Sequence, residues 1–459
     1  MKCNIAIIGG GISGLSLALL LSQKHQNIAV FEAAPNCGGR ARAINKYPLT
    51  KSSLKSNTNN HLFPQYLDNG PHLIIGAYRN FFKILKLADV DVNKAFTVHP
   101  FSWHSQKFRL NIGDGNLVSA LIKAAIQSSG ISIIKRLELF KTLSSLYIKD
   151  QNIIQNLTVS QWLAKLKISQ EIQTQFFNPL CLSALNTPAN IASAGCFANV
   201  LSETFFNRQN KNWMMYFAKS DLSTTIINPL IKKIASIPKN LVVNNSRIKK
   251  IGLDKQGYLL EDNHQNTHFC EKLIIATNPS QTLKLLSENL KIINYPKVIN
   301  QLKKITASPI TSVYGFINSK TKNDLQNFLP IIQHQFFQEH DIIWLNFHHI
   351  RNNIYLDNSQ PHLCAIYSAS ALTDSSTITN LAFTELLKHK KIKQNPKFKW
   401  LAITEKQATS QSNLAKEKIN PQINQNLYLS GDYLSDKLPS TIESASRSAF
   451  IVSEIINNA

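Results

Sequence analysis

Near its start the chain reads Asn4-Ile-Ala-Ile-Ile8-Gly9-Gly10-Gly11-Ile12-Ser13-Gly14. The apolar run Ile5 to Ile8 is what a parallel strand buried on both faces requires. It passes directly into G-x-G-x-x-G at positions 9, 11 and 14. Leu15 to Gln23 reads as a helix and Asn27-Ile-Ala-Val-Phe31 as a second buried strand, with Glu32 at its tip, 21 residues after Gly11. Gly9 permits a tight turn, Gly11 lets the backbone approach a pyrophosphate, and Gly14 lets helix and strand pack closely. The helix start at Ile12 and Ser13 offers free N–H groups and a partial positive charge to an anion. A carboxylate at Glu32 suits the hydroxyls of an adenosine ribose. The order strand, glycine turn, helix, strand, acid predicts a Rossmann-like dinucleotide site in an α/β fold.

The next segment is Glu32-Ala33-Ala-Pro-Asn-Cys-Gly38-Gly39-Arg40-Ala41-Arg42. It resembles the E-x(5)-G-G-R-x-x run of the flavin amine oxidase and phytoene desaturase superfamily. That resemblance implies FAD as cofactor, with Gly38 and Gly39 against its diphosphate and Arg40 supporting the pyrophosphate or isoalloxazine region. Ala33, Ala41 and Arg42 complete the contacts of this segment. Two later stretches are similar to parts of the same site. Leu241 to Ile251 resembles the strand whose backbone contacts adenine at the position of Ile248, and Lys272 to Thr277 the strand that returns beneath the cofactor. Leu427-Tyr-Leu-Ser-Gly431-Asp432, followed by Pro439-Ser-Thr441-Ile442-Glu443, reads as strand, Gly-Asp turn and helix start. Pro and Thr stand there as capping requires. By resemblance, Gly431 and Asp432 meet the ribityl or phosphate region. The amides at Thr441 and Ile442 face the flavin ring, where the reduced form carries negative charge. A site drawn from the beginning, middle and end of the chain predicts a GR2-type FAD-binding domain in three parts, 1–90, 216–284 and 416–459. An inserted substrate domain, largely helical with a β-sheet, occupies 91–215 and 285–415.

Two central segments narrow the resemblance: Tyr66-Leu-Asp68-Asn-Gly-Pro71-His72 through Arg79, and Asn178-Pro-Leu-Cys181-Leu-Ser-Ala-Leu-Asn186-Thr-Pro188. Together with Leu438 to Glu443 they resemble the hydroxysqualene dehydroxylase family, also called squalene-associated FAD-dependent desaturases. The similarity is loose across 285–415, and Pro71 stands where that family more often has Gln. It implies an isoprenoid lipid substrate, hydroxysqualene, reduced to squalene when a hydride from reduced flavin reaches an allylic cation inside an apolar, water-excluding channel. Phe81, Phe82, Phe101, Trp103, Phe176, Phe177, Phe205, Phe206, Trp213 and Phe217 could line such a channel, although ordinary core packing explains each of them as well. Loss of the hydroxyl calls for a proton donor; Asp68, His72 and Glu443 are the candidates. A carotenoid or phytoene-type desaturase, or an amine oxidase, on the same scaffold is the alternative enzyme. A lipid-binding protein that keeps FAD only structurally is the reading from another class. The sequence shows no second nucleotide fingerprint, so an unidentified electron donor, either an externally acting nicotinamide or a partner protein, is expected to supply electrons to the flavin.

The remaining features bound these readings. The 459 residues carry a net charge of +23, yet only nine of the 50 basic residues are Arg and no Lys/Arg run alternates with aromatics. Nucleic acid is therefore not an expected partner. The charge would suit an anionic membrane surface, or it is compositional drift. Ile131 to Asp150 places apolar residues at 133, 137, 140, 143 and 147 with Lys135, Arg136 and Lys141 elsewhere on the turn. This is a helix lying on a membrane or one facing its own core. Glycines at 9, 10, 11 and 14 interrupt the apolar stretch 3–21, which makes it strand, turn and helix rather than a span. Six scattered cysteines without a C-x-x-C pair fit neither a disulfide framework nor a zinc site. Adjacent His348 and His349 have no third ligand, so no metal is expected. The expected location is cytoplasmic, peripheral on the inner face of the membrane if the basic surface is used.

Overall fold

Strand β1 (Lys2–Ile8) is buried at every residue from Ile5 onward, as a strand covered on both faces must be. It lies parallel between β2 (Ile28–Phe31) and β13 (Thr267–Ile275), with Ile8 opposite both Phe31 and Ile275. β10 (Leu241–Val243) continues the parallel sheet beyond β2. The other edge of β13 is shared. Its first half pairs antiparallel with β12 (Gly257–Asp262), which is hairpinned to β11 (Ile248–Asp254), and its second half takes β18 (Leu427–Leu429) in parallel. A computed structural model of the chain thus gives a seven-stranded sheet assembled from the start, middle and end of the sequence. It describes residues 1–44, 67–70, 72–105, 107–113, 123–124, 126–148, 154–205, 212–289, 295–317, 342–347, 362–368, 398–435 and 437–458. Tyr66, Pro71, Phe206, His348 and His349 lie outside the described residues.

The alternation of a strand decides which side chains go where. Ile5 and Ile7 of β1 point to one face of the sheet, where α1 (Ile12–Leu21), α2 (Arg79–Leu87), α6 (Asn228–Ala235) and α7 (Ile442–Asn458) bury Leu15, Leu19, Phe81, Ile84, Leu230, Ala449 and Val452. Ala6 and Ile8 point to the other face and join Phe31, Ile251, Leu260, Leu273 and Tyr433. Every residue of α1 is buried, which explains why its sequence is apolar all round rather than striped.

A second core lies around an antiparallel sheet of β14 (Ala307–Ile317), β15 (Ile342–Phe347), β16 (His362–Ser368) and β17 (Phe398–Ser410), ordered β15-β16-β14-β17. Helices α3 (Ile133–Ile148), α4 (Asn178–Leu185) and α5 (Ala194–Phe205) accompany it. Short ribbons join the two parts: β3 (Ala43–Ile44) with β4 (Leu67–Asp68), and β5 (Ile74–Ile75) with β9 (Met215–Ala218) and β6 (Phe96–His99). A further hairpin pairs β7 (Phe101–His104) with β8 (Arg109–Ile112). Trp103, Phe176, Phe177, Trp213 and Phe217 are buried here, and Trp103 meets the Phe176 ring edge-on at 5.1 Å. Phe81 instead sits in the core beside α1.

Two sequence expectations change. Leu241 to Ile251 is two strands and not one: Asn245 adopts a left-handed φ of 55°, and the turn it makes separates parallel β10 from antiparallel β11. In α3, Ile133 and Leu137 point to solvent while Leu139 and Thr142 face the core, so the stripe at 133 and 137 does not pack inward. The side chains at 140, 143 and 147 lie outside the description.

Candidate functional site

Three glycines build the turn between β1 and α1, each for a different reason. Gly9 has φ of 114°, and a Cβ there would come within 2.6 Å of the Ala276 carbonyl oxygen on the neighbouring strand's end. A Cβ on Gly14 would overlap the Gly9 carbonyl, so this residue lets helix and strand approach. At Gly11 a Cβ would meet no atom within 4 Å. Gly11 is also the N-cap residue of α1 and supplies no side-chain cap to the first turn. Open space in front of helix amides is the arrangement that takes a pyrophosphate. A dinucleotide fits the residues present.

Around this turn the predicted segments converge. Glu32 Oε2 accepts from the Gly10 N–H and Oε1 from the Ala34 N–H, both at 2.8 Å. The Glu32 backbone donates to the Val243 carbonyl and accepts from the Ser246 N–H, both at 2.8 Å, so the β10 end lies alongside it. Ala33 is exposed beside it, and Ile248 is buried against the β1 face that carries Ile8. The Gly38 N–H donates to the Gly10 carbonyl at 2.8 Å, and a Cβ on Gly39 would stand 3.4 Å from Gly11 Cα. Ala41 is buried in the α1-side core, and Arg42 Nη1 donates to the Gly39 carbonyl at 3.2 Å.

Arg40 joins three distant parts of the chain. Its Nη2 lies 2.8 Å from Asp432 Oδ2 and its Nη1 donates to the Ala408 carbonyl of β17 at 2.6 Å. Burial alone would lower its pKa, but the Asp432 carboxylate outweighs that and raises it, so the guanidinium stays charged. The chain end closes on α1 through hydroxyls: Ser13 Oγ is 2.7 Å from Ser430 Oγ, and the Gly431 N–H donates to Ser448 Oγ at 3.0 Å. Thr441 Oγ1 accepts from the Ser444 N–H at 3.2 Å, so it caps α7, whose first residue Ile442 is buried. Tyr78 hydrogen-bonds Thr441, and burial, reinforced by the charge of Glu443, holds its phenol protonated well above the usual range.

The three proton-donor candidates occupy different settings. Glu443 Oε1 accepts from the Asn80 N–H at 3.2 Å and from Asn80 Nδ2 at 2.7 Å, while Oε2 accepts from the Phe81 N–H at 3.0 Å. It thereby holds the N-terminus of α2, and burial pushes its pKa upward against those bonds. Asp68 is buried, and its Oδ1 accepts from the Leu222 N–H at 2.8 Å. The Asp68 carbonyl accepts from the Tyr314 hydroxyl at 2.8 Å. His72 is half-buried, with Nδ1 at 2.9 Å from the Gly70 carbonyl. The neighbouring Asn69 N–H donates to the Arg42 carbonyl at 3.0 Å, which sets this segment against the glycine-arginine run. Sequence reasoning passed over Ser430, Ser448, Asn80 and the Ala408 carbonyl. A lone serine or a backbone oxygen carries no pattern; the available signal is that Ser13 and Ser16 are hydroxyls in an otherwise apolar helix.

A glycine turn open at Gly11, an acid at the second strand's tip and a chain end that closes over the helix start define a dinucleotide-binding α/β protein. Among such proteins, the chain belongs to the flavin containing amine oxidoreductase family, which it matches over residues 12–314. It is an oxidoreductase with FAD as cofactor. It is similar to hydroxysqualene dehydroxylase of Zymomonas mobilis subsp. mobilis, at 22% identity over 457 residues covering 96% of each chain. A second hydroxysqualene dehydroxylase, from Sinorhizobium fredii, is 25% identical over 237 residues, 50% of this chain and 51% of the other. Among solved structures, an oxidoreductase from Methanosarcina mazei superposes with a TM-score of 0.72 at 14% identity, covering 99% of this chain and 100% of that one. That likeness is one of fold.

Proposed function

We propose that this flavoprotein removes the allylic hydroxyl of hydroxysqualene and replaces it with hydrogen, giving squalene. The observation that carries the proposal is the end-to-end similarity to the Zymomonas mobilis hydroxysqualene dehydroxylase, which spans both the sheet and the second core. Bound in its reduced form, FAD supplies the two electrons and the hydrogen that replace the hydroxyl, so the substrate is reduced and the oxygen leaves as water. Gly11, Gly38, Gly39 and the start of α1 would hold its diphosphate. Glu32 would hold its adenosine ribose, with Ile248 at the adenine. Arg40, Gly431, Asp432, Thr441 and Ile442 would hold the flavin end.

The chain's own part is to bind the lipid, keep water out and manage one proton at the leaving oxygen. Asp68 and Glu443 spend their carboxylates on backbone amides of Leu222 and α2. We assign the proton to His72. Its Nδ1 donates to the Gly70 carbonyl, which orients the ring, and the imidazolium form carries a second N–H at Nε2. The electron donor that recharges the flavin comes from outside the chain.

The test is an anaerobic reaction of dithionite-reduced enzyme with hydroxysqualene, followed by flavin absorbance and lipid analysis. Squalene formed in step with flavin reoxidation supports the assignment. Reduction of the oxidised enzyme's flavin by a carotene precursor or an amine, with no squalene from hydroxysqualene and the reduced enzyme, replaces it with the desaturase or amine oxidase reading. His72→Ala is expected to slow squalene formation by about 10²- to 10⁴-fold, with the flavin still bound.

A further inference from the structure

The four most exposed large hydrophobic side chains among the described residues all fall within twelve positions of one another: Ile126 at 69%, Ile133 and Ile134 at 73%, and Leu137 at 61%. They form one patch. Ile133, Ile134 and Leu137 share a face of α3 by helical spacing, and Arg136 Nη1 donates to the Ile126 carbonyl at 2.8 Å, holding that residue beside the first turns. The inward side of α3 is already committed. Leu139 and Thr142 are buried, and Glu138 Oε2 accepts from the Ser169 N–H at 2.8 Å and its hydroxyl at 2.7 Å. The outward apolar face is therefore not a core face turned the wrong way.

Among the described residues, most of the exposed charge near the patch is basic. Lys107, Arg109 and Lys123 are exposed, and the Lys107 backbone packs against Gly130 in the turn that leads into α3. Arg109 and Ser129 exchange backbone hydrogen bonds at 3.1 and 3.2 Å, which brings the β7–β8 hairpin against the turn that carries Ile126. Of the two described acids nearby, Glu138 is held by Ser169 and Glu171 is paired with Lys135. An apolar face flanked by lysine and arginine matches the boundary between acyl chains and anionic headgroups. We propose that α3 and the preceding turn form a docking surface for an anionic lipid bilayer, with Ile126, Ile133, Ile134 and Leu137 entering the acyl boundary and the basic border lying against phosphates. This goes beyond the proposed reaction and does not depend on which lipid is the substrate.

Co-sedimentation of the full-length, FAD-loaded protein with vesicles tests it directly. Binding is expected to phosphatidylglycerol-phosphatidylcholine vesicles and to be about tenfold or more weaker to phosphatidylcholine alone. The variant Ile133→Ser/Ile134→Ser/Leu137→Ser should lose at least about tenfold in binding to the anionic vesicles. Lys107→Glu/Lys123→Glu should do the same, with flavin absorbance and thermal melting unchanged. Ile134→Trp keeps the face apolar and guards against a folding defect: its emission should shift to the blue on anionic vesicles. Wild-type protein that ignores anionic vesicles, variants that bind as well as wild type, or tryptophan emission that does not move would overturn the proposal. So would a wild-type dimer that the triple serine variant dissociates, because the face would then belong to a second copy of the chain.

Discussion

At Gly11 and Gly14 the same added carbon has opposite consequences. A Cβ on Gly14 would overlap the Gly9 carbonyl, whereas one on Gly11 would enter space that holds no protein atom. Gly14→Ala is therefore expected to lower stability by about 1–3 kcal/mol through overpacking, read by denaturant unfolding. Gly11→Ala should leave unfolding of the flavin-free protein within about 0.5 kcal/mol while weakening FAD binding in a titration. Glu443 makes a separate point. Read as an acid from sequence, it accepts bonds from Asn80 and Phe81 at the start of α2. Glu443→Ala should cost about 1–2 kcal/mol of stability, and Glu443→Gln less. Loss of squalene formation in both variants with no stability change would instead make it a group of the reaction. The sequence placed Glu443 beside a helix start because its own helix was legible. Its contact with Asn80, 363 positions away, carries no local signal.

The β11–β12–β13 meander depends on a carboxylate that no motif announced. Asp262 Oδ1 accepts from the N–H groups of His264 and Asn266 at 2.8 and 3.0 Å, and Oδ2 from the Ser246 hydroxyl at 3.1 Å. Burial would raise its pKa, but the bonds from Asn266, His264 and His268 win and hold it well below the usual carboxylate range. A depressed folded pKa means the stabilisation is fully present above the unfolded value of about 3.9 and is lost as pH falls through the lower folded value. Asp262→Asn should therefore flatten the fall in melting temperature below about pH 4, compared with wild type. The strands themselves were legible as apolar runs. The break inside Leu241 to Ile251 was not, because Asn244, Asn245 and Ser246 look like a polar patch on one strand until Ser246 is seen bonded to Glu32 and Asp262.

Across the molecule, Arg40 is the point where the first part of the chain, β17 and the Gly-Asp turn meet. The fold class was readable because glycine spacing, strand length and the position of Glu32 constrain one another within about thirty residues. The way the second core joins the site was not readable, since it rests on backbone carbonyls and serines. Arg40→Ala leaves Asp432 buried without its partner and should weaken FAD binding by about tenfold or more, with Arg40→Lys recovering only part because a single ammonium replaces a two-pronged contact. The measurement that bears most directly on the whole account is the flavin content of purified protein, wild type beside Gly11→Val. Stoichiometric bound FAD in the wild type is predicted, with the variant losing it while the melting of the flavin-free fold stays the same. Colourless wild-type protein that takes up no added FAD, or a valine variant that binds it equally well, would contradict the account.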